Sequence, residues 1–105
     1  MRDEFKANNA LCQKVIQLIQ LISNKTRFRI VCILARSEFC VNEIAEIVDE
    51  GKLSNISQQL RILALAGIIE KRREEKKIIY RLVDDRVRDL IGYFREKYLN
   101  QPRGS

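Results

Sequence analysis

The 105-residue sequence contains no histidine and no tryptophan, and it has only one proline, three cysteines and four glycines. Without histidine, the most common general base of enzymes and the most common protein ligand of transition metals are missing. The chain also lacks a glycine-rich phosphate loop and a carboxylate pair framed by apolar residues. We therefore expect a protein that is not an enzyme and that holds neither a cofactor nor a metal ion.

Long apolar runs are missing as well. No stretch approaches the roughly 20 apolar residues that a membrane-spanning helix needs, and the N-terminus lacks the layout of a signal peptide. An odd number of cysteines without a Cys-x-x-Cys pair does not form a disulfide framework and fits a reducing compartment. These absences predict a cytoplasmic protein with no membrane partner.

The single proline and the lack of a linker-like stretch predict one domain over residues 1–100. Residues 101–105 are interpreted as a disordered tail, with the final Gly-Ser read as a cloning remnant. The net charge of +6 is unevenly distributed. Residues 37–51 contain acidic residues and no lysine or arginine, whereas basic residues outnumber acidic ones over residues 52–81. A polyanion is therefore the expected partner of the second region.

The two ends of the domain carry amphipathic helices. Over residues 3–22, apolar residues recur at helical spacing in two neighbouring stripes. The first stripe contains Leu11, Val15, Leu18 and Ile22, and the second contains Phe5, Cys12, Ile16 and Ile19. Asp84 or Asp85 can cap a last helix, on which Val87, Ile91, Phe94 and Tyr98 share one face. Two stripes offer more apolar arc than one contact surface requires, which favours packing against a partner as well as against the core.

Between these ends lies a pattern typical of a helix-turn-helix. Ser23 or Asn24 can cap a helix that runs to about Ala35 and buries Phe28, Val31 and Leu34. A short extended piece at 38–40 precedes a helix over 41–48, a turn at Gly51 and a second helix over 54–66. The helix-turn-helix thus spans residues 41–66. On its second helix, one narrow arc is apolar and must face the core: Ile56, Leu60, Leu63 and Gly67.

The opposite arc of that helix carries side chains that suit base edges and phosphates. Gln can pair with adenine, Arg with guanine, and Ser with bases or phosphate oxygens. The candidate DNA contacts here are Ser54, Asn55, Ser57, Gln58 and Arg61, with Asn55 at the edge of the face. Ser54 could be used for helix capping instead. The plainer interpretation of the arc is an ordinary solvated helix face.

Residues 68–83 predict a β-hairpin, or wing, beside this helix. The strands are expected at 68–73 and 77–82, where isoleucine, tyrosine and leucine favour β structure. The connection at 74–76 contains neither Gly nor Asn, so we expect a longer loop rather than a tight two-residue turn. Four basic side chains are candidate phosphate contacts: Arg72, Arg73, Lys76 and Lys77. The alternative is a charged hairpin edge that only prevents aggregation.

These elements define a mainly α fold with a small β-hairpin wing, in the order α-α-α-α-β-β-α with a short strand at 38–40. The chain resembles the ArsR/SmtB family of bacterial transcriptional repressors over about residues 10–98. The resemblance depends on five segments: residues 24–30 (Asn-Lys-Thr-Arg-Phe-Arg-Ile), 38–45 (Glu-Phe-Cys-Val-Asn-Glu-Ile-Ala), 54–60 (Ser-Asn-Ile-Ser-Gln-Gln-Leu), Leu63 with 66–69 (Ala-Gly-Ile-Ile), and 80–82 (Tyr-Arg-Leu).

The resemblance implies a homodimeric winged helix-turn-helix repressor that binds an inverted-repeat operator in double-stranded DNA and is released by an unknown inducer. In this family the first and last helices form the dimer interface. It would then contain Leu11, Val15, Leu18, Ile22, Val87, Ile91, Phe94 and Tyr98. Two other functions fit the same fold: a winged helix that binds proteins, and a nucleoid-type protein that binds DNA without base preference.

Some positions depart from the family pattern. Where metal-sensing members often have Cys-Val-Cys, this chain has Cys40-Val41-Asn42, and the histidine ligands of the last helix are missing. Cys12 and Cys40 could supply only a soft site of low coordination. Cys32 matches one of two thiols that sense reactive sulfur or oxidants in another branch of the family, but the expected second thiol near Tyr98 is absent. The favoured interpretation of Cys32 is therefore a small buried apolar residue, and a thiol sensor that uses Cys12, Cys32 or Cys40 is the alternative. The turn at Gly51 is one residue longer than usual, and Gln59 replaces a common histidine.

Overall fold

The computed structural model describes residues 2–48 and 52–99, with side chains at 8–48 and 52–98. The predicted element order is confirmed. The chain runs through α1 (Arg2–Ile22), α2 (Lys25–Leu34), β1 (Phe39–Cys40), α3 (Val41–Val48), α4 (Leu53–Leu65), β2 (Ile69–Glu74), β3 (Lys77–Leu82) and α5 (Asp85–Phe94), which continues as a π-helical turn (Arg95–Leu99). The turn at Gly51 and the tail at 101–105 lie outside the described residues.

Side-chain caps determine where three of the helices begin. Asn24 Oδ1 accepts the backbone N–H of Arg27 at 3.0 Å and caps α2, and Asp84 accepts the N–H groups of residues 86 and 87 and caps α5. At α3, the Glu43 carboxylate accepts the backbone N–H of Cys40 at 2.9 Å, as in one half of a capping box. This hydrogen bond is the largest cause of the lowered pKa of Glu43. Asn24 and Asp84 were both among the predicted caps.

The second helix of the motif, α4, ends in a Schellman turn. Gly67 has a φ of +77°, where a side chain is strained. The N–H of Ile68 donates to the carbonyl of Leu63 at 3.0 Å, and the N–H of Gly67 donates to that of Ala64 at 3.0 Å. The carbonyl of Ile68 in turn accepts the N–H groups of Val83 and Asp84. Ile68 therefore connects the end of α4 to the start of the wing and to the residues just before α5.

The three strands form an antiparallel sheet in the order β1-β3-β2. β2 and β3 pair from Ile69 with Leu82 to Glu74 with Lys77, so only Glu75 and Lys76 remain in the turn. The prediction of a longer loop was wrong. Pairing continues through the oppositely charged Glu74 and Lys77, and Glu75 takes up the tight reversal with a φ of 58°. This left-handed conformation costs a non-glycine residue about 1 kcal/mol.

The core lies between α2, α3, α4, α5 and the base of the wing. Its buried members are Ile30, Val31, Leu34, Ile44, Val48, Ile56, Leu60, Leu63, Ile68, Ile69, Leu82, Val87 and Ile91. Of the predicted core arc of α4, Ile56, Leu60 and Leu63 are buried, but Gly67 is exposed because it lies past the end of the helix. Val31 and Leu34 are buried as predicted, but Phe28 is only half-buried. No helix in the described part of the chain is long and apolar enough to span a membrane.

Three residues that were predicted to lie in the dimer interface are buried within the subunit. Val87 is 0% exposed, Ile91 4% and Ile22 5%. Side chains buried to this degree offer no surface to a second copy, so their prediction as interface residues is corrected. Helical periodicity identified the apolar stripe on α5 but could not show that its first half already packs into the core of the subunit.

Candidate nucleic-acid interface

The outer face of α4 is polar and open to solvent. Ser54, Ser57, Gln58 and Arg61 are all exposed, while Ile56, Leu60 and Leu63 on the opposite arc are at most 1% exposed. Lys52 occupies the N-cap position and makes no side-chain capping bond, so Ser54 is not the cap of this helix. Core packing therefore holds α4 with four hydrogen-bonding side chains directed outward.

Asn55 differs from the other candidate DNA contacts because it takes part in a network inside the subunit. Its Oδ1 accepts Gln59 Nε2 at 3.1 Å, and Gln59 Oε1 accepts Arg27 Nη1 at 2.7 Å. Arg27 also donates from Nε to the carbonyl of Leu21 at 2.6 Å. These hydrogen bonds link the end of α1 and the start of α2 to α4. Sequence reasoning missed Arg27 and Gln59 in this role, although the spacing of Asn55 and Gln59 by one helical turn was a usable signal.

The charged side chains of the wing are divided between its two faces, because successive side chains of a strand point to opposite faces. In β2, side chains at 70, 72 and 74 share one face, and those at 71 and 73 share the other. On the first face, Arg72 pairs with Glu38 at 2.6 Å and with Glu74 at 2.9 Å, and Glu70 pairs with Arg81 at 3.0 Å. The hydrogen bonds to Glu38 and Glu74 raise the pKa of Arg72. The charge of Arg72 is thus balanced within the subunit.

The other basic side chains of the hairpin are exposed. Lys71 and Arg73 lie on the second face of β2, and Lys76 and Lys77 lie at the tip and at the start of β3. The wing therefore presents positive charge on one face and at its tip. In the sequence, the wing directly follows α4. Of the four predicted phosphate contacts, Arg73, Lys76 and Lys77 are the better placed to meet an external anion.

The first helix is mostly outside the subunit core. Leu11 is 60% exposed and Val15 55%, and Ile16 and Ile19 of the second stripe are also exposed. Only its last turns pack inward, through the partly buried Leu18 and Leu21 and the buried Ile22. At the other end of the chain, Tyr98 is exposed and Phe94 is half-buried. Over residues 8–22, whose side chains the structure describes, this amphipathic helix thus leaves most of its apolar surface uncovered in one subunit.

The three cysteines are free thiols in different surroundings. Cys12 lies on the exposed part of α1, Cys32 is half-buried on α2, and Cys40 is buried in β1. Burial raises the pKa of Cys32, and the nearby positive charge of Arg95 opposes this only in part. A raised pKa disfavours the reactive thiolate. Among the described residues, no group of three or more His, Cys, Asp or Glu could hold a metal ion.

Together, a core-anchored helix with an outward polar face and an adjoining basic hairpin define a winged helix-turn-helix DNA-binding protein. A family model described as "Bacterial regulatory protein, arsR family" matches residues 24–71. Biofilm growth-associated repressors are 38% identical over 78 residues in Agrobacterium fabrum, covering 74% of this chain and 66% of that protein, and 36% identical over 79 residues in Xylella fastidiosa, covering 75% and 68%. The chain thus spans about two thirds of their length.

Solved structures agree with these relatives. The transcriptional repressor BigR from Xylella fastidiosa superposes with a TM-score of 0.79 at 30% identity, covering 96% of this chain and 99% of that one. The homodimeric winged helix-turn-helix domain Mb0332 from Mycobacterium bovis has a TM-score of 0.71 at 26% identity, with 93% of each chain covered. The chain belongs to the ArsR family of bacterial transcriptional regulators, which are DNA-binding proteins and not enzymes.

Proposed function

We propose that the protein is a cytoplasmic, homodimeric repressor that binds an inverted-repeat operator and leaves it when an inducer binds. One observation carries the proposal: α4 is fixed by buried Ile56, Leu60 and Leu63 while its hydrogen-bonding side chains point outward. A recognition helix held in this way can enter the major groove and read base edges. The proposed base and groove contacts are Ser54, Ser57, Gln58 and Arg61, with Asn55 at the edge.

The wing would add contacts that do not depend on sequence. Arg73, Lys76 and Lys77 can follow the phosphate backbone, and each phosphate contact increases the salt dependence of binding. Arg72 contributes less in this proposal because its charge is already balanced by Glu38 and Glu74. The helix would provide specificity, and the wing would provide affinity and position.

The uncovered apolar surface of α1 supports a homodimer. A second copy could cover Leu11 and Val15, together with Leu18, Phe94 and Tyr98 near the ends of the two terminal helices. The Mycobacterium bovis domain with this fold is described as homodimeric. A two-fold dimer presents two copies of α4, and two-fold symmetry in the protein matches an inverted repeat in the DNA.

Selection of bound duplexes from a randomised library tests the proposal. We expect enrichment of an inverted repeat, and a loss of specific affinity of about tenfold or more in Arg61→Ala and Gln58→Ala, since a good pair with a base contributes about 1–3 kcal/mol. Lys14→Ala, on exposed α1, is the matched control because it removes one charge without touching α4.

Two outcomes would contradict the repressor function. Equal affinity for the selected and random duplexes, with a steep salt dependence, would indicate a nucleoid-type DNA-binding protein. No DNA binding at low salt would indicate a winged helix that binds another protein through the same face.

A further inference from the structure

A cleft of about 590 Å³ lies between α2 and the C-terminal part of α5. Its apolar wall includes the rings of Phe28, Phe94 and Tyr98 and the thiol of Cys32. Phe28 and Phe94 meet edge to face with ring centroids 6.5 Å apart, and Phe94 and Tyr98 follow at 6.1 Å. The volume falls in the range of about 300–1,000 Å³ that is typical of small-molecule sites.

Two guanidinium groups interrupt the apolar wall, those of Arg36 and Arg95. Arg95 Nε is buried, and among the described residues it has no hydrogen-bond partner. A buried donor without an acceptor is unfavourable, and more so when it carries charge. Arg95 Nε itself has no surface in the cleft, so an anion placed there would stabilise the Arg95 guanidinium by its charge and would also meet the charge of Arg36.

The backbone around Arg95 is itself unusual. Residues Arg95–Leu99 form a π-helical turn after the regular α5. Such turns are rare in proteins and are frequent at functional sites. Arg95 and Tyr98, both in this turn, line the cleft, so the irregular turn contributes both the charged donor and one aromatic wall.

The exposed part of α1 from a second copy of the protein would not supply an anion to Arg95 and Arg36. Residues 8–22 contain no aspartate or glutamate, and their only charged residue is Lys14. Residues 8–22 can offer apolar contacts to the cleft but no carboxylate to Arg95. The thiol of Cys32 offers no anion either, because burial raises its pKa and keeps it protonated near neutral pH.

We propose that this cleft binds an apolar carboxylate, with the alkyl or aryl group along the rings of Phe28, Phe94 and Tyr98 and the carboxylate against Arg95 and Arg36. The guanidinium groups of Arg95 and Arg36, which both line the cleft, donate charge-assisted hydrogen bonds to the carboxylate. The aromatic rings cover the chain from water. This binding goes beyond the repressor function and does not depend on it, because it is measured on the free protein without DNA.

Calorimetric titration with decanoate, below the concentration at which it forms micelles, tests the proposal. Decanol has the same chain without the charge, and acetate has the charge without the chain. We expect decanoate to bind at one site per subunit and both comparison ligands to bind at least about tenfold more weakly, since a hydrogen bond to a charged group contributes about 1.5–3 kcal/mol.

The Arg95→Gln variant tests whether decanoate binds in this cleft. It should weaken decanoate binding about tenfold or more and leave decanol binding unchanged. Lys97→Gln is the matched control, because it removes one positive charge from the same π-helical turn, where Lys97 Nζ lies 5.7 Å from the centre of the Tyr93 ring, outside the cleft. Its decanoate affinity should equal that of the unchanged protein. Circular dichroism confirms that each variant is folded.

Three results would overturn the proposal. Equal affinity for decanoate and decanol would show that no anion is recognised, and an unchanged affinity in Arg95→Gln would place the ligand elsewhere. Decanoate binding that appears only at protein concentrations where sedimentation shows monomers would mean that a second copy fills the cleft in the dimer. The repressor function could survive each of these results, so the two proposals fail separately.

Discussion

Arg27 Nη1 donates a 2.7 Å hydrogen bond to Gln59 Oε1, which joins α2 to the recognition helix α4. Gln59 passes the connection on to Asn55, one turn nearer the start of α4. The orientation of α4 therefore depends on polar contacts as well as on its apolar arc.

We expect Arg27→Ala and Gln59→Ala each to lower the free energy of unfolding by about 1–2 kcal/mol, because each removes one partner of a half-buried hydrogen bond. The double variant should lose less than the sum by at least about 0.5 kcal/mol, since the shared bond can be lost only once. Urea unfolding of the four proteins measures this coupling. Gln58→Ala, at the neighbouring exposed position, should add to Arg27→Ala without coupling. Strictly additive losses for Arg27 and Gln59 would show that the bond contributes nothing.

Releasing Arg72 should strengthen DNA binding. Glu38→Gln removes the carboxylate that lies 2.6 Å from Arg72 Nη1 and makes Nη1 available to phosphate, while Nη2 keeps its pair with Glu74. We expect about two- to fivefold tighter binding to any duplex, because exposed ion pairs of this kind contribute about 0.2–1 kcal/mol. Fluorescence anisotropy over a range of KCl concentrations measures affinity and salt slope. Glu46→Gln on α3 removes the same charge away from Arg72, and an equal gain in that control would attribute the effect to net charge alone.

Glycine at the tip of the wing should stabilise the protein. Glu75 has a φ of 58° in a two-residue turn, a conformation that glycine adopts without strain. We expect Glu75→Gly to raise the free energy of unfolding by about 0.5 kcal/mol, because the relief of roughly 1–2 kcal/mol of strain exceeds the roughly 0.5–1 kcal/mol that glycine costs in conformational entropy. Lys76→Gly, at the adjacent position without positive φ, should lower it by about 0.5–1 kcal/mol. Thermal and urea unfolding measure both variants, and a loss of stability in Glu75→Gly would contradict the strain.

The cap of α5 should make stability depend on pH in the acid range. The hydrogen bond from Arg86 is the largest cause that lowers the pKa of Asp84, with further bonds from backbone N–H groups. A carboxyl group whose pKa is lower in the folded state stabilises the fold above its unfolded pKa of about 3.9. This contribution is lost as the pH falls through the lower folded value.

Asp84→Asn and Asp84→Ala separate the charge from the cap. Asparagine keeps an acceptor oxygen, so its unfolding free energy should approach that of the unchanged protein as the pH falls below about 4. Alanine removes the acceptor and should cost about 1 kcal/mol at neutral pH. Urea unfolding between neutral pH and pH 3 gives both comparisons. A difference between aspartate and asparagine that does not change with pH would exclude the ionised carboxylate as its source.

A charge on the uncovered face of α1 should disrupt the proposed dimer. Val15→Glu places a carboxylate where the side chain is 55% exposed in one subunit, so the subunit should still fold. Sedimentation velocity should then show a shift from dimer to monomer at micromolar concentration. Gln17→Glu, also exposed but on the opposite side of α1, is the matched control and should remain dimeric. An unchanged dimer in Val15→Glu would remove this face from the interface.

Local chemistry explains which features could be predicted from the sequence. Capping by Asn24 and Asp84 involves residues within one turn, and the apolar arc of α4 follows directly from helical spacing. Strand propensity located both strands of the wing. These features require only short-range information, so the fold and the outward face of the recognition helix were predictable.

Other features depend on residues that are distant in sequence. The pairing of Arg72 with Glu38 spans 34 positions and becomes visible only when β1 and the wing share a sheet. Burial of Val87 and Ile91 depends on which helices pack over α5. The tight turn at Glu75 could not be predicted for a different reason. Its sequence contains neither Gly nor Asn and disfavours a two-residue turn, but the pairing of β2 with β3 along the whole hairpin outweighs this local preference. The cleft beside Arg95 also needs two helices to be placed together.

Ile68 connects three parts of the molecule through its own peptide groups. Its N–H donates to the end of α4, and its carbonyl accepts the first residues after β3, where α5 is about to begin. The side chain is buried as well, so the residue cannot shift without disturbing the core. The recognition helix, the wing and the last helix are thus connected through Ile68. A rotation of α5 would therefore change the orientation of α4 and the wing together relative to a DNA groove.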